Sequence, residues 1–425
     1  MQPPPQIKSV DTPRNSLVLI GSSARAAAFD AKLAGFKLLA VDRFGDEDLV
    51  AICEQWILYD DQQEWLKTTT AWPDSPIVPV GGFSWESLQK CPTFIGLDLR
   101  TRLLAYPSEA TLAELNSPNR LTDVAKVCGI AFPETWELKD ERMVPIAPRC
   151  LQQPAQAKYW LIKPRKHAGG VGIRRCNRTD AILPQERRQW MVPGRPIGAN
   201  FIATGQPFPI KAIPLGVFGG ITYRRNKSQP YLYGGSYGPL QLPNDISNRI
   251  DALGQAVAET FSLRGLFNID LILSPDQSLW LLEVNPRYSA SMELISRRAA
   301  TKTPANDVSK SSLIDLHLGC YQNRNTIVHE IEAYKETLAR CSSAMVSSKR
   351  IVYAKQDVIH PRSSIKSILV DEKVCIADLP NSDLRIRAGE PICTVICSDQ
   401  DTIHLMLQKS ARAARLVRAT CVDHH

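Results

Sequence analysis

The apolar residues of this chain come in short runs, and their spacing separates strands from helices. SLVLI, from Ser16, is an unbroken apolar run of strand length, as expected for a strand covered on both faces. The Ala-rich stretch GSSARAAAFDAKLAGF then reads as a turn and a helix ending near Gly35, and KLLAVD as a second strand ending at Asp42. That β–turn–α–β order predicts a parallel sheet. Further strand candidates are Trp56–Tyr59, Ile77–Val80 and Thr93–Gly96. Residues 107–140 read as helix, then Gly129, then an extended segment through Pro133. A Pro-rich linker precedes the dense strand KYWLIKPR. From 188 to 300, strands accompany one well-patterned helix, Ile246–Ser262. The chain then turns polar (TKTPANDVSKSS) and becomes helical toward 340. Short β-like runs follow (RIVYAK, SILV, VCIADL, EPICTVIC) before a closing helix, Thr402–Val417. The expectation is an α/β and α+β protein in three blocks: an α/β unit at 1–112, a two-lobed core at 113–335 and a small β-rich domain at 340–425.

Composition narrows the class. Of 425 residues, 44% are hydrophobic and 22% charged, which is ordinary globular usage and excludes a disordered, collagenous or coiled-coil architecture. With 51 basic against 43 acidic residues, the net charge of +8 is mild for this length. It suits an anionic ligand, but no basic–aromatic stripe marks a nucleic-acid binder. No apolar run approaches the roughly 18 residues of a membrane span, and Leu17–Ile20 is too short for a signal-peptide core. Eleven scattered cysteines read as reduced thiols of a cytoplasmic protein. Cys393 and Cys397 share one face of a strand and read as buried thiols, not a metal site.

Candidate chemistry is concentrated in two segments. In LFNIDLILSPDQSLWLLEVNPR, two apolar strands flank a turn, which makes a hairpin. Asp270 lies in the first strand, and Glu283 and Asn285, two apart, share a face of the second. Carboxylates inside apolar strands are costly unless paired or metal-bound. Three hard oxygen donors that converge suit Mg²⁺. Arg287 continues the alternation and offers a fork for phosphate or carboxylate. In WLIKPRKHAGGVGIRR, Lys163 ends a strand before Gly169, Gly170 and Gly172. These glycines read either as a phosphate-covering loop with Lys163 as point charge or as a plain hairpin turn. His167 in the same loop reads as a solvated residue or a proton shuttle. Arg174–Arg175 and Arg224–Arg225 fit either an acidic substrate or solvated strand ends. RQWMVPGRPIGANFIA, a strand and a Pro-Gly turn, could present backbone to an adenine edge. At the N-terminal turn, Gly21 is followed by Ser22, Ser23, Ala24 and Arg25, so a dinucleotide fingerprint fails. Arg25 is left there as a cation for a small anionic ligand.

The order of these segments, Lys with a Gly-rich loop, then the turn at 188–194, then Asp…Glu-x-Asn-x-Arg, resembles the ATP-grasp superfamily over about 16–300. The resemblance implies an ATP-grasp fold behind a Rossmann-like preATP-grasp domain, with the hinge near 188–194. It implies that Lys163 and the glycines cover the phosphates and that Arg120, where many members have Lys, also binds nucleotide. Gln189, Trp190 and Met191 would form the adenine hinge, with Trp190 where many relatives have Glu. Asp270, Glu283 and Asn285 would hold two Mg²⁺ ions, with Mn²⁺ an alternative, and Arg287 would steady the transferred phosphoryl group. The implied activity is that of an ADP-forming carboxylate–amine or carboxylate–thiol ligase acting on small molecules through an acyl phosphate. Neither nucleic acid nor membrane is an expected partner, and a homodimer is compatible with the reading. The chain, including its IADLP…IRAGEPICTVI segment, resembles carboligases related to tyramine–glutamate ligase, associated with one-carbon cofactors of the methanofuran and methanopterin kind. A bicarbonate-activating carboxylase subunit and a silent ATP-binding regulator are the alternatives.

Overall fold

The computed structural model describes residues 16–59, 72, 75–83, 105–150, 159–165, 169–223, 229–301, 312–341, 345–359, 373–380 and 385–421. The expected strands Thr93–Gly96 and SILV, along with His167, Arg224 and Arg225, lie outside these residues.

The N-terminal unit is built as the apolar pattern dictates. Strands β1 (Ser16–Ile20), β2 (Lys37–Asp42), β3 (Gln55–Leu58) and β4 (Ile77–Pro79) form a parallel sheet in the order β3-β2-β1-β4. Helix α1 (Arg25–Leu33) crosses over between the first two strands, and α2 (Glu47–Val50) leads into the third. Leu17, Leu19, Leu38 and Ala40 pack against α1, while Val18, Ile20, Leu39 and Val41 fill the other face. Both faces are therefore covered, which is why these strands carry no polar alternation.

Helices α3 (Glu109–Leu115) and α4 (Pro118–Val127) lead into the core. Its smaller lobe is an antiparallel sheet of β5 (Thr135–Lys139), β6 (Arg142–Ala147), β7 (Trp160–Pro164), β8 (Arg174–Cys176) and β9 (Glu186–Trp190), ordered β6-β5-β9-β7-β8. The larger lobe holds β10 (Arg195–Ala203), β11 (Ala212–Tyr223), β12 (Leu232–Gly238), β13 (Gly265–Leu273) and β14 (Leu279–Asn285). Helix α5 (Asn244–Thr260) lies on one face of this sheet, where Phe201, Phe267, Ile269 and Leu281 pack against Ile250, Leu253 and Val257. The lobes meet at a tryptophan joint: Trp190 and Trp280 lie edge to face at 4.9 Å, with Trp160 and Ala131 beside them.

Helices α6 (Met292–Ala300), α7 (Leu313–Tyr321) and α8 (Ile327–Arg340) contribute to the same core as α1. The final block holds β15 (Val346–Tyr353), β16 (Val358–Ile359), β17 (Val374–Ala377), β18 (Arg385–Ile386), β19 (Pro391–Asp399) and α9 (Ile403–Thr420). Strands β15, β19 and β17 of this final block continue the large sheet, while its residues also form a hydrophobic cluster of their own. The sheet order is β14-β13-β10-β11-β12-β15-β19-β17, with β12 pairing to β15 from Gly235↔Arg350 to Gly238↔Ser347. Cys393 and Cys397 are buried on β19 beneath α9.

Candidate functional site

The β13–β14 hairpin aims its polar side chains away from α5. A bulge at Leu282 shifts the register, so that Asp270 faces Glu283 and Asn268 faces Asn285. The same bulge keeps Leu281 and Val284 in the apolar core on the opposite face. Asn285 Nδ2 donates to Asp270 Oδ2 at 3.1 Å and to Glu283 Oε1 at 3.2 Å, and Arg287 Nη2 donates to Asn285 Oδ1 at 3.0 Å. One amide thus holds two carboxylates together, and an arginine orients the amide.

The electrostatics show a pair short of positive charge. Burial, followed by the adjacent Glu283 carboxylate, pushes the Asp270 carboxyl well above the ordinary carboxylate range. Burial also works to raise Glu283. Lys163, the hydrogen bond from Asp270 and that from Asn285 outweigh it and hold the group below its usual value. Glu283 opens to solvent on one side. Lys163 and Arg287 act on both carboxylates, so the structure brings Lys163 of the small lobe to the hairpin of the large one.

Lys163 is positioned from its own sheet. Its Nζ donates to Gln189 Oε1 at 3.3 Å, Gln189 Nε2 donates to Thr135 Oγ1 at 3.0 Å, and Thr135 Oγ1 donates to Pro133 O at 2.8 Å. The Gln189 side chain is buried, so it serves Lys163 and is not free to meet a base. Trp190 is buried too, and its N–H donates to Glu134 O. The Met191 N–H donates to Tyr159 O. Of the three residues expected at an adenine edge, two therefore have committed N–H donors.

The glycine loop is seated against β12. Tyr233 N donates to Gly169 O at 2.8 Å. Gly170, at φ +79°, leaves no room for a side chain, because a Cβ would stand 1.9 Å from Tyr231 O. Gly169 and Gly172 share the left-handed conformation. Arg120 is not part of this constellation. It lies exposed on α4, paired with Glu114 at 3.6 Å, and no hydrogen bond or ion pair joins it to Lys163 or the hairpin.

Other supporting residues were not singled out from sequence. Asn268 sits beneath the cluster on the face of Asp270, two residues before it in the NID sequence. Gly198 pairs with Asp270 across β10 and β13, and a Cβ there would crowd the Asn268 amide at 2.9 Å. Asn200 Oδ1, also buried, accepts from Ser289 and Ser291 and pins the loop that follows Arg287. Polar residues inside apolar strands were the available signal at 200 and 268.

The reading of Arg25 as a cation for a small anion is overturned. Arg25 is 2% exposed and forms a bidentate pair with Glu293, while its Nε donates to Asp378 at 2.7 Å. Lys349 Nζ also donates to Glu293 at 2.7 Å, and Arg297 Nε at 3.1 Å. The guanidinium is already used by the protein's own carboxylates. The four residues Arg25, Glu293, Lys349 and Asp378 join four segments of the chain.

Comparison with known proteins bears on this geometry. Residues 132–291 match the family described as ATP-grasp domain. An uncharacterised protein of Methanocaldococcus jannaschii is 23% identical over 300 residues, 67% of this chain. The match spans only 63% of that relative's length. The fold is that of N5-carboxyaminoimidazole ribonucleotide synthetase from Thermotoga maritima (TM-score 0.58, 14% identity, 95% of this chain and 98% of that one). An L-amino acid ligase from Bacillus licheniformis is similarly related (0.60, 13%, 95% and 96%). So is the biotin carboxylase domain of Hydrogenobacter thermophilus 2-oxoglutarate carboxylase, solved with MgADP and bicarbonate (0.63, 13%, 94% and 89%). No described helix is long and apolar enough to cross a membrane.

Proposed function

We infer that this chain, whose residues 132–291 are an ATP-grasp domain, is an ATP-dependent, ADP-forming ligase that joins a small carboxylic acid to an amine. The observation that carries the reading is that Asn285 bridges the Asp270 and Glu283 carboxylates, Arg287 is bonded to Asn285, and Lys163 of the small lobe acts electrostatically on both carboxylates. In the reaction, an oxygen of the acid attacks the γ-phosphorus of ATP, the bond to the β-phosphate oxygen breaks and ADP leaves. The amine nitrogen then attacks the acyl carbon, the carbon–oxygen bond breaks, phosphate leaves and the nitrogen loses a proton. Neither step needs a protein nucleophile, so positioning and charge carry the catalysis.

The residues suit these tasks. Two carboxylates that repel each other, bridged by the Asn285 amide, would form a hard oxygen donor set for Mg²⁺ once the amide turned its oxygen toward them. Asp270, Glu283 and Asn285 would hold the two ions proposed here, with Mn²⁺ as a substitute. Bound there, the metal would neutralise phosphate charge. Lys163 supplies a point charge to the phosphates, fixed by the Gln189–Thr135 relay. Arg287, oriented on Asn285, presents its remaining donors to the transferred phosphoryl group. Val192 is the first residue past the committed pair at 190 and 191, and Pro193 follows it. Its N–H is therefore the donor we assign to the adenine edge. A role in one-carbon cofactor assembly rests on the resemblance of the C-terminal segment alone.

The deciding measurement is ADP release from Mg·ATP against a panel of acids and amines. Release that needs both an acid and an amine supports the ligase. Release driven by bicarbonate alone points to a carboxylase, and bound ATP without turnover under any condition overturns the enzyme reading.

A further inference from the structure

The closing helix carries a charge pattern that the ligase chemistry does not use. α9 holds Lys409, Arg412, Arg415 and Arg418 and no acidic residue. Lys409 is paired with Asp399 and Asp401. Ala411, Arg415 and Arg418 follow the helical spacing of i, i+4 and i+7, so they form one stripe along α9. That stripe borders a cavity of about 260 Å³. The other walls come from β11 at Thr222, from β12 at Gly234 and from β15 at Arg350.

The cavity lies on the far side of the sheet from the hairpin carboxylates. Successive residues of β15 point to opposite faces. Lys349 meets Glu293, whereas Arg350 turns toward α9, where its Nε donates to Ser410 Oγ at 3.4 Å. Ile403, at the start of α9, packs both with the cluster beneath α5 and with the cluster beneath α9, so the two helices cover the same face. Across that face, Ile221 pairs with Gly235 and Gly235 pairs with Arg350. The residue between Ile221 and Arg350 has no side chain, which leaves Arg350 an open flank.

We propose that this cavity binds the phosphoryl group of a small phosphorylated molecule, with Arg350 at its floor and Arg415 at its mouth. Such binding does not depend on the ligase reading. Arg350 is half-buried, yet among the described residues its side chain makes no ion pair and no hydrogen bond besides that to Ser410. The exposed Arg415 side chain makes neither. Burial, then the Arg418 charge, lower the Arg350 pKa, with Cys397 opposing them and Arg415 adding to the fall. None of these groups is a carboxylate, so Arg350 sits in a positive field that its neighbours do not offset. An inward-facing guanidinium without a counter-charge is unfavourable, and an anion with several acceptor oxygens relieves it. A carboxylate brings one charge and two oxygens. A phosphate monoester brings about −1.5 to −2 near pH 7 and three acceptor oxygens, so it can meet more than one guanidinium at once. The volume falls just below the roughly 300–1,000 Å³ usual for drug-sized ligands, so the body attached to the phosphate is small. Walls from three strands and a helix suit such a molecule better than the broad contact of a polyanion or a membrane.

The test is calorimetry on the full chain loaded with Mg·ADP, titrated with ribose 5-phosphate, inorganic phosphate and succinate, and with ribose as the uncharged control. The expected result is saturable binding of a phosphate and none of ribose. Arg415→Gln, at an exposed position where the fold is not at stake, and Arg350→Met should each weaken that binding at least about tenfold, with Mg·ADP binding unchanged. Arg287→Gln should leave it unchanged, which separates the cavity from the hairpin. Ligand-free Arg350→Met should melt no lower than the wild type, because a charge disfavoured by burial and by its neighbours is gone. A merely structural Arg350 would melt lower on replacement and leave binding intact. Equal affinity for the ester and inorganic phosphate identifies the free anion as the ligand, tighter binding of the ester identifies an organic phosphate, and both support the site. Four outcomes overturn it: no saturable binding of either phosphate at millimolar concentration, binding lost in Arg287→Gln but kept in Arg415→Gln, equal or tighter binding of succinate, or displacement of the phosphate at lower concentration by a single-stranded oligonucleotide or by phosphatidylserine vesicles.

Discussion

Two charged clusters share one face of the large sheet, and they are built on opposite principles. Around Glu293, three cations, Arg25, Lys349 and Arg297, converge on a carboxylate that is wholly enclosed. Its acidity follows: burial works to raise it, but Arg25 and then Lys349 hold it well below the usual carboxylate range. Around Asp270, two carboxylates are pressed together by Asn285, and the cations that reach them, Lys163 and Arg287, are hydrogen-bonded elsewhere. The first cluster is complete without a ligand. The second is left wanting positive charge. Buried charge therefore marks a joint when it is neutralised by its own neighbours, and a site when it is not.

That contrast can be broken by mutation. Arg25→Met should have the largest effect on stability, a loss of about 3 kcal/mol in a denaturant melt, since it removes the cation shared by buried Glu293 and by Asp378 and leaves Lys349 and Arg297 to offset them. A loss below about 1 kcal/mol would mean the joint is ornamental. Glu283→Gln should leave the melting temperature equal or higher while ADP release falls roughly 10²–10³-fold, about 2.7–4 kcal/mol. Retained turnover would remove the metal assignment. Gln189→Leu cuts the relay behind Lys163 and should raise KM for ATP about tenfold, about 1.4 kcal/mol, with a smaller change in kcat. An unchanged KM would show that Lys163 does not depend on Gln189.

The smallest effect concerns pH. Asp270 has a folded-state pKa raised above its unfolded value, so the native state keeps a proton that the unfolded chain has lost. This group therefore lowers stability as pH rises from about 4 toward its folded value, by at most about 1.4 kcal/mol per unit. Mg²⁺ held at Asp270 as proposed would displace that proton, so the rise in melting temperature caused by Mg²⁺ should shrink between pH 8 and pH 5, and Asp270→Asn should flatten the trend. An Mg²⁺ effect that is independent of pH would contradict the shared-proton picture.

Some of this was legible in the chain and some was not, for physical reasons. Asp270 and Glu283 stood out because a carboxylate in an apolar strand needs a compensating partner, and strand alternation placed Glu283 and Asn285 on one face. Lys163 stood out by its place between a strand and a run of glycines. The bulge at Leu282, which sets the pairing of Asp270 with Glu283, leaves no mark in LWLLEVN. Gln189 looked like a hinge residue because its neighbours in sequence are known, whereas its partners Lys163 and Thr135 come from other strands. Arg25 was misjudged for the same reason: Glu293 and Asp378 lie 268 and 353 residues away. The addition of β15, β19 and β17 to the core sheet is likewise a pairing of distant edges with no local signature.

The order of strands in that sheet has a consequence for how the protein is made. β19 lies between β15 and β17, although both precede it in the chain. While a ribosome is still extending the chain toward Pro391, the outer edge of β15 has no neighbour, and β17 has none at all. Nascent chains at that stage expose open β edges, the usual template for intermolecular pairing. A product truncated between about residues 380 and 390 should therefore be aggregation-prone, whereas a released chain that runs past Asp399 can close the sheet.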